Sequence, residues 1–242
     1  MSAVPALELH GVSVSAGDKV ICHDVDLVIN EGEKHLLLGP NGSGKSSLLA
    51  GIMGISPFKI TAGTALFYGD DLKDMPVEER AEAGIGLAYQ RPPSLQGVQV
   101  KNLAAAIGAT ESLEEIAGKL QLSHLIGRNV NVGFSGGETK RFEVLKLALQ
   151  SPALCLFDEP ESGVDLEQVD TVGKAISQLL DSKDSRGRQR SGLVITHTGF
   201  ILDGIDADVA HMMVDGTIVA AGDAHEMFES IRTRGYRTRS AS

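Results

Sequence analysis

The nine residues GPNGSGKSS, Gly39 to Ser47, constrain this chain more than any other stretch. Gly39, Gly44, Lys45 and Ser46 satisfy the spacing GxxxxGK[ST]. A short apolar strand candidate, Glu33 to Leu38, precedes the loop, and a helical stretch, Ser46 to Met53, continues it. In that strand–loop–helix order the glycines let backbone N–H groups turn toward an anion, and the helix start adds its positive end. The pattern predicts a phosphate-binding loop. Lys45 reaches the β- and γ-phosphates as a point charge, and the Ser46 hydroxyl ligates Mg²⁺. Pro40, Asn41, Gly42 and Ser43 complete the cradle, while Ser47 helps hold the helix start.

Around the loop, apolar runs of strand length alternate with segments of helical period. Strands are expected near Leu7 to Val14, Val20 to Ile29, Ile85 to Tyr89, Ala153 to Phe157 and Leu193 to Thr196. Connecting helices imply an α/β fold with a largely parallel sheet covered on both faces. Residues 91–150 hold no convincing strand, open on Pro92-Pro93, and carry helical patterns near Val100 to Ile107, Leu113 to Leu120 and Glu138 to Gln150. They are expected to form a helical subdomain inserted between core segments 1–90 and 151–230, with a basic flexible tail over 231–242. The polar run DSKDSRGRQRSG, Asp181 to Gly192, is expected to be an exposed loop.

The run Leu154-Cys155-Leu156-Phe157 ends in Asp158 and Glu159. Two acids at that place stand at the carboxyl edge of a parallel sheet, where such folds bind ligands. Asp158 is expected to hold Mg²⁺ and Glu159 to orient and polarise an attacking water. Taken alone, an Asp-Glu pair there also reads as turn chemistry. Ser135-Gly136-Gly137-Glu138 presents two glycines and a serine at the start of a helix, which reads either as a second anion site or as a plain N-cap.

In order along the chain, the phosphate loop, Gln90, SGGE, Asp158-Glu159, Asp165 and His197 resemble the motif set of the ABC ATPase family. The resemblance runs from about residue 6 to 229. It implies a P-loop NTPase of the ABC type with an N-terminal antiparallel β part, ATP as the nucleotide, and hydrolysis. It also implies that SGGE is the signature motif, closing in trans over the γ-phosphate held by a second copy. Gln90 becomes the Q-loop residue near Mg²⁺, Asp165 the D-loop aspartate, and His197 the switch histidine. Members of the family often stack adenine on an aromatic residue, whereas VSVSAGDKV has none and Ala16 stands in its place. Base stacking is typically worth about 1–3 kcal/mol, so preference for ATP over GTP is expected to weaken.

Within that family, AYQRPPSLQGVQVKN, GFSGGETKRFEVLKLAL and DEPESGVD resemble the ATPase of SUF-type iron-sulfur cluster assembly. That resemblance implies a SUF-type β-helical scaffold protein as partner, docked against Arg91 to Leu103 and remodelled when two ATPase copies close on ATP. Pro160 is as typical of transporter subunits, so the nucleotide-binding subunit of a membrane ABC transporter stays as the alternative. Catalysis is expected of Glu159, His197, Gln90 and Lys45, and Mg²⁺ binding of Ser46, Gln90 and Asp158.

Composition bounds the remainder. With 42% hydrophobic and 22% charged residues, 242 residues suffice for one substantial core. The formal charge of −10 argues against nucleic acid as a partner. No apolar run has membrane-spanning length and no leader pattern opens the chain, so a cytoplasmic protein is expected. Cys22 and Cys155 lack companions at metal-ligand spacing, and Cys155 is expected to pack as a small hydrophobe.

Overall fold

The computed structural model describes residues 5–196, 201 and 204–234. Strands β1 (Pro5–Ala16), β2 (Lys19–Asn30), β4 (Phe58–Phe67) and β5 (Asp70–Asp71) form an antiparallel sheet in the order β2-β1-β4-β5. A six-stranded sheet is built from β3 (Lys34–Leu38), β6 (Ile85–Ala88), β7 (Leu154–Asp158), β8 (Ser191–Ile195), β9 (Val209–Val214) and β10 (Thr217–Asp223). Its order is β10-β9-β3-β8-β7-β6. All of its pairings are parallel except the β9–β10 hairpin. The fold is therefore α/β, with the antiparallel part at the N-terminal side of the chain.

Period-two alternation assigns each strand residue to one of two cores. In β3, Leu37 packs toward the antiparallel sheet, whereas Leu36 and Leu38 face the helices on the opposite side. β7 divides likewise, with Leu154 and Leu156 on one side and Cys155 and Phe157 on the other. Both faces of the parallel sheet are thus buried, as the continuous apolar runs require. Helix α1 (Lys45–Met53) fills the first core through Leu48, Leu49 and Ile52, all essentially buried. The second core is closed by α5 (Gly136–Gln150) and α6 (Leu166–Leu180), together with α3 (Val100–Ile107) and α4 (Thr110–Lys119). Helices α2 (Val77–Ala83) and α7 (Ala224–Arg234) are the other α-helices among the described residues.

Burial pushes the Cys155 thiol up to about 12, consistent with packing rather than reactivity. Cys22 is also buried, its Sγ donating to the Gly44 carbonyl at 3.5 Å, and its thiol is pushed up to about 11. Helix α7 continues through Arg234, past the start of the expected tail at residue 231, and residues 235–242 lie outside the described residues.

The run from Asp181 to Gly187 is exposed apart from Asp184 and leads into the buried strand β8, as expected of an exposed loop, but Asp184 and Arg190 are buried. Asp184 accepts from the backbone N–H groups of Arg186 and Arg188 at 2.9 and 2.8 Å, and from Arg188 Nε at 2.8 Å. Arg190 donates to the Pro152 carbonyl at 3.1 Å and to Ser151 Oγ at 2.8 Å. A polar sequence looks solvated when its charges are counted singly. Here the charges satisfy one another and neighbouring carbonyls, which is the condition for burying them.

Candidate active site

Strand β3 ends at Leu38, and Gly39 turns the chain with φ 153° directly against β9. A β-carbon on Gly39 would lie 2.1 Å from the Met213 carbonyl oxygen, so only glycine permits this approach. The loop then feeds α1, whose N-terminal residue Lys45 is buried. Lys45 Nζ donates to the carbonyls of Gly39 at 2.8 Å and Pro40 at 3.0 Å. Burial lowers the Lys45 pKa, and the nearby carboxylates of Glu159 and Asp158 act against that shift.

Residues Asn41 to Ser47 line a cavity of about 320 Å³, with Ile21 on one side and Gln90 and Glu159 on another. Ser43 Oγ is buried here without a hydrogen-bond partner. An orphaned hydroxyl among backbone N–H groups at a helix start fits a ligand that brings acceptor oxygens, as a phosphate does. Ile21 is the apolar side chain lining the cavity, and Ala16 is not among the lining residues.

The acidic end of β7 meets the loop directly. Ser46 Oγ donates to Asp158 Oδ1 at 2.9 Å, so hydroxyl and carboxylate oxygens converge, a donor set that suits a hard divalent cation. Desolvation raises the Asp158 pKa above its ordinary value, the Ser46 hydrogen bond opposing it. Glu159 adopts φ 44°, an uncommon conformation for a residue with a side chain, and its Oε2 accepts from Gln90 Nε2. Gln90 and Glu159 are thereby held together at the cavity edge. Asp158 reaches the loop through the Ser46 hydrogen bond and through its charge on Lys45.

Two charged residues that the sequence reading passed over hold this edge in place. Lys140, buried within α5, donates from Nζ to the Gln90 carbonyl at 2.6 Å and the Glu159 carbonyl at 3.2 Å. Glu143, one turn on and equally buried, accepts from the Tyr89 backbone N–H at 2.8 Å and from Lys146 Nζ at 2.7 Å. Their signal was present in the sequence. Lys140 and Glu143 stand at i, i+3 on a helix whose neighbours Phe142, Val144, Leu145 and Leu147 are apolar, so one charged face had to enter the core. A second pair, Thr196 Oγ1 donating to Glu161 Oε1, ties the ESGVD loop to the end of β8.

Ser135, Gly136, Gly137, Glu138 and Asp165 do not line this cavity. They form a separate cluster with the ESGVD loop. Ser135 caps α5, its Oγ accepting from Glu138 N at 3.2 Å, while Glu138 Oε2 accepts from Ser135 N at 2.7 Å. Ser135 and Gly136 are exposed, and so is Asp165 at the N-cap of α6. His197 lies outside the described residues. Two of the larger cavities, of about 430 and 450 Å³, flank α6, and neither brings together a glycine-rich loop and paired acids among the described residues.

The family model described as ABC transporter matches residues 22–162. The probable ATP-dependent transporter SufC of Escherichia coli strain K12 is 36% identical over 95% of this chain and 97% of its own length. A probable ABC transporter ATP-binding protein of Streptococcus pyogenes serotype M18 is also 36% identical, over 90% of this chain and 89% of its own length. Among solved structures, a nucleotide-free ATP-binding cassette from an ABC transporter superposes with a TM-score of 0.79 at 24% identity. It covers 97% of this chain and 100% of its own.

Proposed function

Since this chain belongs to the ABC transporter family and is an ABC-type ATP hydrolase, we propose that two copies sandwich ATP between the loop cavity of one and the signature cluster of the other. The observation that carries this is the separation of the two clusters. Asn41–Ser47, Gln90 and Glu159 line one cavity, while Ser135 and Gly136 stand exposed at a helix start outside it.

In this reading backbone N–H groups of Asn41 to Ser47 and the Lys45 ammonium bind the β- and γ-phosphates. Ser46 and Asp158, with Gln90, would hold Mg²⁺, which supplies charge neutralisation at the phosphates. Glu159 takes a proton from the attacking water, and Gln90, bonded to the same carboxylate, positions it. Ser135, Gly137, Glu138 and Asp165 belong to the trans contact, and His197 is assigned to the γ-phosphate from its place in the motif order. The helical stretch 91–150 acts as an arm whose join to the core runs through Lys140, Glu143 and the Gln90 turn.

For the biological task we propose a cytoplasmic ATPase that remodels a SUF-type scaffold during iron-sulfur cluster assembly. Support comes from the likeness to SufC across almost the entire length of both chains, together with the SUF-like stretches after Gln90 and around Ser135. No helix among the described residues is long and apolar enough to cross a membrane. Tyr89, Leu95 and Val98 are exposed large hydrophobics around the proposed docking stretch, Arg91 to Leu103. The second reading, a transporter's nucleotide-binding subunit, is favoured by the Streptococcus pyogenes relative at the same identity.

The deciding experiment is co-purification of the Glu159→Gln variant with Mg-ATP from native cells. Recovery of a soluble β-helical scaffold supports cluster assembly. Recovery of a multi-spanning membrane protein replaces it with transport and leaves the ATPase site as described.

A further inference from the structure

We propose that His124 is a positioning residue for the signature motif, its imidazole masking the carboxylate charge that Glu138 places at the start of α5. The inference rests on the reading that this helix start receives a partner copy's nucleotide. Glu138 Oε1 lies 2.7 Å from His124 Nε2, and its other oxygen, Oε2, accepts from the Ser135 backbone N–H. Both carboxylate oxygens are therefore engaged, one by the capping box and one by the histidine.

The Ser135 N–H, and after it the His124 contact, hold the Glu138 carboxyl down to about 2. Glu138 is thus ionised at any working pH and can only accept, which makes Nε2–H the donor. A glutamine at this position would close the same capping box with no charge. Glutamate brings a full negative charge into the first turn of a helix that opens on the exposed Gly136, where backbone N–H groups can meet an anion. That charge suits the helix dipole when the site is empty and opposes an incoming phosphate when the site is filled. His124 stands where such a charge has to be screened.

Its presentation is rigid. His124 sits on the 3-10 turn Ser123–Leu125, flanked by Leu122 and Leu125, which are buried, while its own side chain is 57% exposed. The imidazole therefore contributes little packing, and a contact whose histidine side stands open to solvent adds little to fold stability. A role beyond stability is what the geometry leaves for it.

Steady-state ATPase kinetics of the full chain test the assignment. His124→Ala is expected to raise KM for ATP roughly 2- to 5-fold, the span of one charge at a helix terminus, with kcat altered less and the melting temperature unchanged. Moderate salt should shrink the effect, because the opposition being masked is between the Glu138 carboxylate and an incoming phosphate, both ionised. Glu138→Gln should lower KM, and in that background His124→Ala should produce no further change. A KM for His124→Ala indistinguishable from the parent overturns the proposal, as does an equal His124→Ala effect with Gln at 138. Ser135→Arg separates the underlying reading: if it hydrolyses ATP normally, the signature does not act in trans and the proposal falls with that reading. Impaired Ser135→Arg beside a silent His124→Ala rejects His124 alone.

Discussion

Gly136 and Gly163 touch backbone to backbone: a β-carbon built on Gly136 would lie 2.1 Å from the Gly163 carbonyl oxygen. The SGGE turn and the ESGVD loop are thereby locked into one surface. Gly136→Ala must push the loops apart, at a cost typical of overpacking, about 1–3 kcal/mol. Nucleotide binding to the loop cavity should survive, since that cavity is elsewhere, while ATP hydrolysis should fall at least roughly tenfold. Fluorescent-nucleotide titration beside an ATPase assay checks the split. Equal loss of both would show that the two clusters are not separable.

Lys140 joins the Gln90 turn to the Glu159 backbone from inside α5. Burial lowers its pKa, with Glu143 the largest of several carboxylates acting in the opposite direction. Lys140→Met keeps the length and removes the donors, leaving two carbonyls short of a partner. Stability should drop by about 1–3 kcal/mol, and kcat should fall more than nucleotide affinity. Chemical denaturation and single-turnover hydrolysis measure the two effects.

Glu159→Gln preserves the side chain's shape and removes its basicity. Hydrolysis should decline roughly 10²- to 10⁴-fold with ATP affinity retained, and the variant should self-associate in Mg-ATP. Normal turnover in this variant would assign the base elsewhere.

His35 and His211, on the adjacent strands β3 and β9, are buried with Nδ1 of the first and Nε2 of the second 2.9 Å apart. Burial lowers both, and His211, further depressed by His35, falls to about 4. Between that value and the ordinary histidine value of 6.5 the unfolded chain binds the extra proton, so stability is full above 6.5 and is lost as pH falls toward 4. This one histidine should lower stability by about 2 kcal/mol between pH 7.5 and pH 5. Urea unfolding at the two pH values tests it, against a His211→Gln variant in which that part of the slope should vanish.

Base selectivity should be shallow, because the apolar side chain lining the nucleotide cavity is Ile21. An aliphatic wall lacks the roughly 1–3 kcal/mol of a stacked aromatic, so competition binding should place ATP and GTP within about tenfold of each other. A hundredfold preference for ATP would point to a base contact outside the described residues.

The strands and helices legible in the sequence were those with a clean period. Val100–Ile107 coincides with α3, and the apolar runs Glu33 to Leu38, Ile85 to Tyr89 and Ala153 to Phe157 match β3, β6 and β7 to within one residue at each end. Strand β4 was not legible, because exposed residues around Gly63 break its alternation and its pairing partner is β1, far back in the chain. The β9–β10 hairpin did carry a signal that went unused. Asp215 and Gly216 both take positive φ, as a type I′ turn requires, and Asp-Gly is its common sequence.

By itself the sequence determined the loop chemistry, the order of the motifs and the family, because those depend on residue type at fixed local spacing. Only the tertiary structure decided which polar groups meet across the core. Lys140 reaching Gln90 and Glu159, Glu143 holding Tyr89, and His124 covering Glu138 each join residues fourteen to fifty-four positions apart. No local period encodes such pairs. They arise because a buried charge must find partners wherever the packed strands and helices place them.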